Sequence, residues 1–444
     1  MKLLVPQLEL DQQKGFAADI DIFNRKDFGE RLANLIENAD DHPVIALNSG
    51  WGEGKSTFIK MWQGYVEQER PTKLKTIYFD AFKNDYQKDP FLALAAEIYT
   101  LLDDKDSKKK IEFRNMATSA AKSLMRGAIK IGIKAATAGL ADGTEAEDLV
   151  RDFSALLSEQ VDEIIAEKLK NVEEDRLALS KFREFLSHIT NEIGHGKPVV
   201  FIIDELDRCR PDFALELLEQ IKHLFSVSGL TFLLITNRTQ LEETIRSKYG
   251  SGVNATNYLH KFINLWMSLP KKTINSRDYR EVFIDYALHK MMNDKEKILL
   301  TESLDVIKDL AVFHALSLRE IERMLAYFAI IQNLTALKSY SENYQSLIAV
   351  ICFIAANKPE LLLKLGSLDY QELFDEIGLN HIDEKSKYNS LYYLKIYIKF
   401  DLVDDTTKDL MIKNREIRMS GFRRHSDGDL KIIAGWLSEI STGY

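Results

Sequence analysis

The chain is poor in cysteine, with only Cys209 and Cys352 among 444 residues. Two cysteines build neither a disulfide framework nor a cysteine zinc site, and a reducing cytosol suits them. Proline is also scarce, at 8, which excludes a long proline-rich linker. Nowhere does the chain reach the roughly 18 consecutive apolar residues of a membrane-spanning helix. The nearest approach, Ser346 to Ala356 (SLIAVICFIAA), has the length of a buried helix. The opening MKLLVPQLELDQQ lacks the apolar run of a signal peptide. An excess of positive charge is missing too. Against 68 acidic residues stand 59 basic ones, a net −9, which is a poor balance for coating nucleic acid. His188, His195, His223, His260 and His314 follow no metal-ligand spacing.

What is present is the composition of a soluble globular protein, 45% hydrophobic and 29% charged. The length exceeds what one hydrophobic core supports, so two or more domains are expected. Four β-type runs stand out: Pro43–Asn48, Lys75–Ala81, Pro198–Asp204 and Thr231–Thr236, with a weaker fifth at Phe262–Leu269. Their apolar residues run without alternation, as in strands covered on both faces of a parallel sheet. Helical patterns lie between them, around Phe58–Trp62, Phe182–Ile189 and Leu215–Leu224. The alternation predicts an open α/β sheet over about the first 270 residues. From Arg277 onward the β signal is gone, and the periodicity of Val282–Ala287, Leu318–Phe328 and Leu361–Leu365 predicts a helical remainder.

About a hundred residues separate the second strand from the third, far more than a crossover of about a dozen needs. Within them, Phe113–Ala141 carries Arg114, Lys122, Arg126, Lys130 and Lys134 and no acid. The last four are spaced by four, a drifting cationic stripe on a helix, with Leu124, Ala128, Ile131, Ala135 and Ala138 opposite and Ile133 amid the cations.

The first strand runs into Ser49-Gly50-Trp51-Gly52-Glu53-Gly54-Lys55-Ser56-Thr57 and then into a helical pattern, the setting of a phosphate-binding loop. Glycines let backbone N–H groups wrap an anion, and the helix that follows points its positive end at it. Lys55 would reach the β/γ oxygens and the Ser56 hydroxyl would ligate magnesium. One departure stands: Ser49 occupies the usual first-glycine position, and Gly50 follows it. The third strand ends in Asp204-Glu205. An acid at the tip of a neighbouring strand holds the metal through water, which is Asp204's position. Glu205 would then polarise the attacking water as general base. Read alone, the same acids could simply open the following helix.

Together these segments resemble the KAP family of P-loop NTPases. The resemblance rests on GWGEGKST, on DELDRCRPDFALELLEQIKHLF after the acidic strand, on TFLLITNRTQLEETI and on YLHKFINLWMSLP. KTIYFDAFKND adds a fifth piece, and the coverage is about the first 330 residues. It implies an ATP-binding α/β core of the type with an additional strand and a catalytic glutamate, and a helical lid. It also implies that the long insertion is where many members carry membrane-spanning helices. Here a cation every fourth residue opposes that, at roughly 2.5–3.5 kcal/mol for each one buried. The cationic helix is left to an anionic surface, a partner, or the protein's own interior.

The resemblance further implies a γ-phosphate sensor after the fourth strand, where Asn237 departs from the family's more usual acid and Arg238 carries over. In the lid, Leu316–Arg323 contains an N-cap-like Ser317, and Arg319, rather than Arg323 a turn on, is the arginine that would approach the nucleotide. Asp207, Arg208 and Arg210 match the family signature, either as a local ion pair or as arginines offered to a neighbouring subunit. Asp21–Leu35, with Arg25, would cover the adenine. Trp51 is open to stacking on a base, though packing beside the phosphates is the simpler expectation. Lys413, Arg415, Arg418, Arg423 and Arg424 make a basic cluster near the C-terminus, a solvated face or a contact for nucleic acid.

The expected organisation is a first part of the core over 1–112, a helical insertion over 113–180, and the rest of the core over 181–270. A helical lid over 271–345 and a helical C-terminal domain over 346–444 complete it. The expected protein is a cytoplasmic ATPase using ATP and Mg2+. Lys55, Glu205 and Arg238 are its candidate catalytic residues, and Ser56 and Asp204 its metal ligands. Gly50, Trp51, Gly52, Glu53, Gly54, Lys55, Ser56, Thr57 and Arg319 are its candidate nucleotide contacts. Such an enzyme would act as a nucleotide-dependent switch with a protein partner or a second copy, and the resemblance implies a role in defence against phage. The rival expectation is a nucleotide-stabilised scaffold for a protein, nucleic acid or membrane surface. A pure scaffold has no need of Glu205 or Arg238.

Overall fold

The computed structural model describes residues 1–6, 15–87, 89–102, 107–137, 160–271, 276–292, 301–334, 342–386, 388–417 and 428–441. Five strands form one all-parallel sheet: β1 Val44–Asn48, β2 Lys75–Asp80, β3 Val199–Asp204, β4 Leu230–Thr236 and β5 Leu265–Ser268. Their order is β2-β3-β4-β1-β5. The four strong apolar runs are thus strands to within about a residue at each end. The fifth is shorter than the run Phe262–Leu269 predicts. Phe262 and Ile263 instead fill the core ahead of β5, whose own residues are half-exposed at the sheet edge.

Because alternate side chains leave a strand on opposite faces, the sheet feeds two cores. Ala46, Phe79, Phe201, Ile203, Phe232 and Leu234 point to one face, against the insertion helices and the helix after β3. Ile45, Leu47, Val200, Ile202, Leu233 and Ile235 point to the other, onto the helices Lys26–Glu37 and Lys55–Glu69. β3 and β4 are buried along their whole length, which accounts for their unbroken apolar runs. β4 lies between β1 and β3, so the acidic strand is one strand removed from the phosphate loop rather than its direct neighbour. All five strands are parallel, so the loop after β1 and the tips of β3 and β4 meet at one edge. That edge is where ligands bind in open α/β sheets.

The crossover from β2 to β3 contains the long helices Ser107–Thr137 and Gln160–Ile193. Phe113, Ala117, Ala120 and Ala121 bury against Phe182 and Leu186, while Arg114 and Lys122 face solvent. The side chains of Arg126, Lys130 and Lys134 lie outside the described residues, as do those of Ala128, Ile131, Ile133, Ala135 and Ala138. Among the described residues no helix is long and apolar enough to cross a membrane.

Beyond β5 the described chain is helical, as the loss of β signal predicts. Most helices from Tyr279 to Leu437 share one apolar core, and Phe400, Met411 and Ile417 make a small separate one. The centre of the shared core is Glu342–Asn357, where Leu347 to Ile354 are all buried, as befits an unbroken apolar run. In the basic cluster, Lys413 and Arg415 belong to an exposed helix end, and Arg418, Arg423 and Arg424 fall outside the described residues.

Candidate functional site

A cleft of about 340 Å³ opens at the sheet edge. One wall is the loop after β1. Gly52 and Gly54 have φ of +74° and +77°, the left-handed region that a side chain disfavours. Gly54 caps the helix Lys55–Glu69 without any side-chain bond to its first turn. The first N–H groups of that helix are therefore left for a ligand, with the positive end of the helix behind them. Lys55 Nζ donates to the carbonyl oxygens of Ser49 at 2.7 Å and Gly50 at 2.9 Å, which holds the ammonium inside the loop. Burial pulls the Lys55 pKa down, and the nearby Arg208 adds to this, while Asp207, Asp204 and Glu53 pull the other way. Ser49 in the usual glycine position has its N–H on the Thr236 carbonyl at 3.3 Å, while its buried hydroxyl has no hydrogen-bond partner among the described residues.

The facing side is the tip of β3. Asp204, 1% exposed, accepts from the Tyr78 hydroxyl at 2.9 Å and from the Glu205 amide at 2.8 Å, with the Ser56 hydroxyl near it. Burial raises the Asp204 pKa, and these three donors hold it back. The Tyr78 phenol, pushed well up by burial and by the Asp204 charge, stays a donor. A magnesium ion needs hard oxygen donors presented together, and the Ser56 hydroxyl and Asp204 carboxylate line the same cleft near one another. The residues therefore fit the metal that a phosphate loop implies. Glu205 follows in a left-handed backbone, φ +61°, unusual for a residue with a side chain. Burial raises its pKa, Arg208 opposes the rise, and Asp204, Asp80 and Asp207 add to it. A carboxylate moved upward in this way gains basicity.

The helical half supplies the other wall. The cap expected at Ser317 is present, as a capping box: Ser317 N–H donates to Glu320 at 2.7 Å and Glu320 N–H to Ser317 Oγ at 3.3 Å. It starts the helix Leu318–Leu334 directly over the loop. A Cβ built on Gly52 would stand 2.5 Å from the Arg319 Cβ and 3.2 Å from its backbone nitrogen. Arg319, exposed, projects into the cleft beside Leu318. Ile20, Ile22, Phe23, Phe283 and Tyr286 make its apolar side.

Glu53 joins the walls. Its backbone belongs to the loop, but its carboxylate accepts from Lys271 Nζ at 2.8 Å and from the Tyr279 hydroxyl at 3.2 Å, and the residue is 5% exposed. Arg25, 2% exposed, directs both terminal nitrogens to the Glu53 carbonyl oxygen at 3.4 Å. Its guanidinium lies 4.5 Å from the Phe23 ring centre, and Asp21 accepts from the Arg25 and Lys26 amides. Burial lowers the Arg25 pKa to about 10, so it remains a cation at neutral pH. The family resemblance puts Arg25 beside the adenine, whereas its observed bonds brace the loop. The motif makes Glu53 a nucleotide contact, whereas its carboxylate turns away to the lid. Lys271, Tyr279, Asp21 and Tyr78 carry no signal in the sequence, since three of them work through a partner distant along the chain and Asp21 through backbone amides.

The cleft thus gathers Trp51, Gly52, Glu53, Gly54, Lys55, Ser56, Thr57, Asp204, Glu205 and Arg319. Gly50 lies just behind, its carbonyl taken by Lys55. Trp51, 43% exposed, donates its indole N–H to the buried carboxylate of Asp207, which fixes the ring at the cleft rim. Arg238 is not among the lining residues. Its Nε pairs with Glu242 at 3.0 Å and its guanidinium lies 5.0 Å from the Trp266 ring centre. Asn237 is used as an N-cap, accepting from the Thr239 amide at 3.1 Å. Arg323 lines a second hollow of about 520 Å³ with Leu4, Val5 and Pro6. Arg210 is tied to Asp85 and Gln87 in the turn after β2.

A model of the KAP family P-loop domain matches residues 25–335. No curated protein matches the chain. The matched span starts at Arg25, which braces the phosphate loop, and closes just past the helix that brings Arg319 over it. It therefore takes in the loop, the acidic strand tip and most of the lid wall that the cleft requires, and the chain belongs to the KAP family of P-loop NTPases, a nucleotide-binding family.

Proposed function

We propose that this protein hydrolyses ATP by attack of a water on the γ-phosphate, and uses the cycle as a conformational switch between sheet and lid. The observation that carries this reading is Glu205. It is a carboxylate in a costly left-handed backbone, beside the Asp204–Ser56 pair and in the same cleft as Lys55. Lys55 and the loop amides would bind the β- and γ-phosphates and orient them. Ser56 and, through water, Asp204 would hold Mg2+, which supplies charge neutralisation on the phosphates when bound. Glu205 would accept the proton of the attacking water. Arg319 would answer the nucleotide from the lid, and because it sits against Gly52, its engagement would move the lid helix with it. Arg238 would serve as γ-phosphate sensor only by leaving Glu242.

Glu205→Gln tests the reading. ATP binding is expected to persist while turnover falls by about 10²–10⁴, the range a positioned general base contributes. Unchanged turnover removes Glu205 as the base, and ATP binding without turnover in the unsubstituted protein leaves a nucleotide-stabilised scaffold. Hydrolysis measured with and without DNA or RNA, beside the oligomeric state on ATP addition, identifies the partner class. The role in phage defence implied by the family resemblance predicts that Glu205→Gln abolishes plaque protection in cells carrying the native gene set.

A further inference from the structure

β3 ends in a left-handed Glu205 and then a 3₁₀ turn, Leu206–Arg208, with the Arg208 N–H on the Glu205 carbonyl at 3.1 Å. The turn brings Arg208 back over Glu205, three residues earlier. Arg208 Nη1 lies 2.9 Å from Glu205 Oε1. The other turn side chains are committed elsewhere, Leu206 to the core and Asp207 to the Trp51 indole. Both members of the pair line the cleft with Lys55.

This arrangement conflicts with base catalysis. A guanidinium against one carboxylate oxygen stabilises the ionised form against taking a proton and restrains how the carboxylate can turn toward a water. The pair is partly solvated, with side-chain exposures of 32% and 22%, so it is weak enough to be exchanged. A γ-phosphate arriving at Lys55 brings a denser negative charge and three acceptor oxygens to the same guanidinium, a geometry arginine matches well.

Resting on the hydrolytic reading above, we propose that Arg208 is a positioning residue with two alternative anionic partners. It restrains Glu205 until a γ-phosphate takes the guanidinium, and that exchange frees Glu205 for the water. A diphosphate lacks the group that triggers the exchange, so the arginine also distinguishes ATP from ADP. Nucleotide arrival and release of the base would then be one event, which suppresses proton abstraction in the absence of a correctly seated triphosphate.

The test is a binding cycle in the full-length protein, with a non-hydrolysable ATP analogue and ADP titrated calorimetrically into the wild type, Glu205→Gln, Arg208→Ala and the double variant. In the Glu205→Gln background, Arg208→Ala should weaken the analogue about tenfold and leave ADP within about twofold, the loss of one charge-assisted contact. Glu205→Gln should tighten the analogue about tenfold when Arg208 is present, and by no more than about threefold when it is replaced by alanine. Arg208→Lys combined with Glu205→Gln, which keeps the charge, should recover most of the selectivity and guards against a folding defect in the alanine variants. The proposal is overturned if analogue and ADP weaken in step, if Arg208→Ala leaves the analogue unaffected, or if Glu205→Gln tightens it equally in both backgrounds. These readouts need no turnover, so they stand apart from the Glu205→Gln rate that tests the hydrolytic reading.

Discussion

The two walls of the cleft are built on opposite plans. The sheet wall comes from two short continuous segments, the loop Ser49–Thr57 and the turn Asp204–Arg208. Their positions follow from parallel strands ending at one edge. The lid wall gathers Arg25, Lys271, Tyr279, Leu318 and Arg319 from four places in the chain, and only tertiary packing brings them together. On the proposed reading, the first plan would serve the chemistry, with backbone N–H groups, a lysine and acids at fixed spacing. The second would serve coupling, because Lys271 and Tyr279 are bonded to the loop through Glu53.

The sharpest way to break this division is at its point of contact. Gly52→Ala would put a methyl where the Arg319 Cβ and backbone already are, at a φ of +74° that alanine resists. Neither the loop nor the capped start of the lid helix can give without losing its own bonds. ATP affinity should fall by about a hundredfold, combining backbone strain with the overpacking cost of a buried methyl. Calorimetric titration against Gly50→Ala provides the control, since a Cβ there meets nothing closer than 3.6 Å. Equal losses at the two positions would mean that the lid contact is irrelevant to the loop.

Glu53→Gln tests the tether without altering the backbone. The amide keeps the shape but sets an N–H₂ against one of two donors, Lys271 Nζ or the Tyr279 hydroxyl. It also removes the anion that Lys271 pairs with. The thermal midpoint should drop in proportion to a loss of about 1–2 kcal/mol, the usual cost of leaving a buried donor unmet. Adding Lys271→Met to Glu53→Gln should restore part of it, because no ammonium is then left without its anion. If Glu53→Gln melts like the wild type, the carboxylate does not hold the walls together.

The same contrast explains what the sequence reveals. β1, β3 and β4 were legible as unbroken apolar runs because both sheet faces are covered, and Gly52, Gly54, Lys55, Ser56, Asp204 and Glu205 because their chemistry needs fixed local spacing. Arg319 was legible only through the family resemblance and the Ser317 cap, a local signal at a distant element. The roles of Arg25 and Glu53 were not legible. A buried arginine and a buried glutamate look like surface residues in a string of letters, and their partners lie 28 and more than 200 positions away. β5 was overextended because Phe262 and Ile263 are apolar for packing reasons that do not require strand geometry. The position of Arg238 after β4 points to the γ-phosphate, whereas Glu242, one helical turn on, and the edge residue Trp266 draw its side chain aside.

The smallest expected effect lies within the sheet wall, and it separates function from stability at one residue. The loop reaches left-handed backbone at Gly52 and Gly54 with glycine, while the β3 turn reaches it at Glu205 with a side chain. A glycine there would relieve the strain but supply no base, so retaining glutamate is costly unless the carboxylate is used. Glu205→Ala removes the carboxylate and keeps the Cβ; Glu205→Gly removes both. Both should lose turnover alike, but the glycine variant should be the more stable by about 1 kcal/mol, the left-handed penalty of a Cβ. Urea midpoints at unchanged slope measure the difference. If alanine proves as stable as glycine, the turn after β3 carries no strain, and a glutamate there has no energetic cost for a catalytic role to offset.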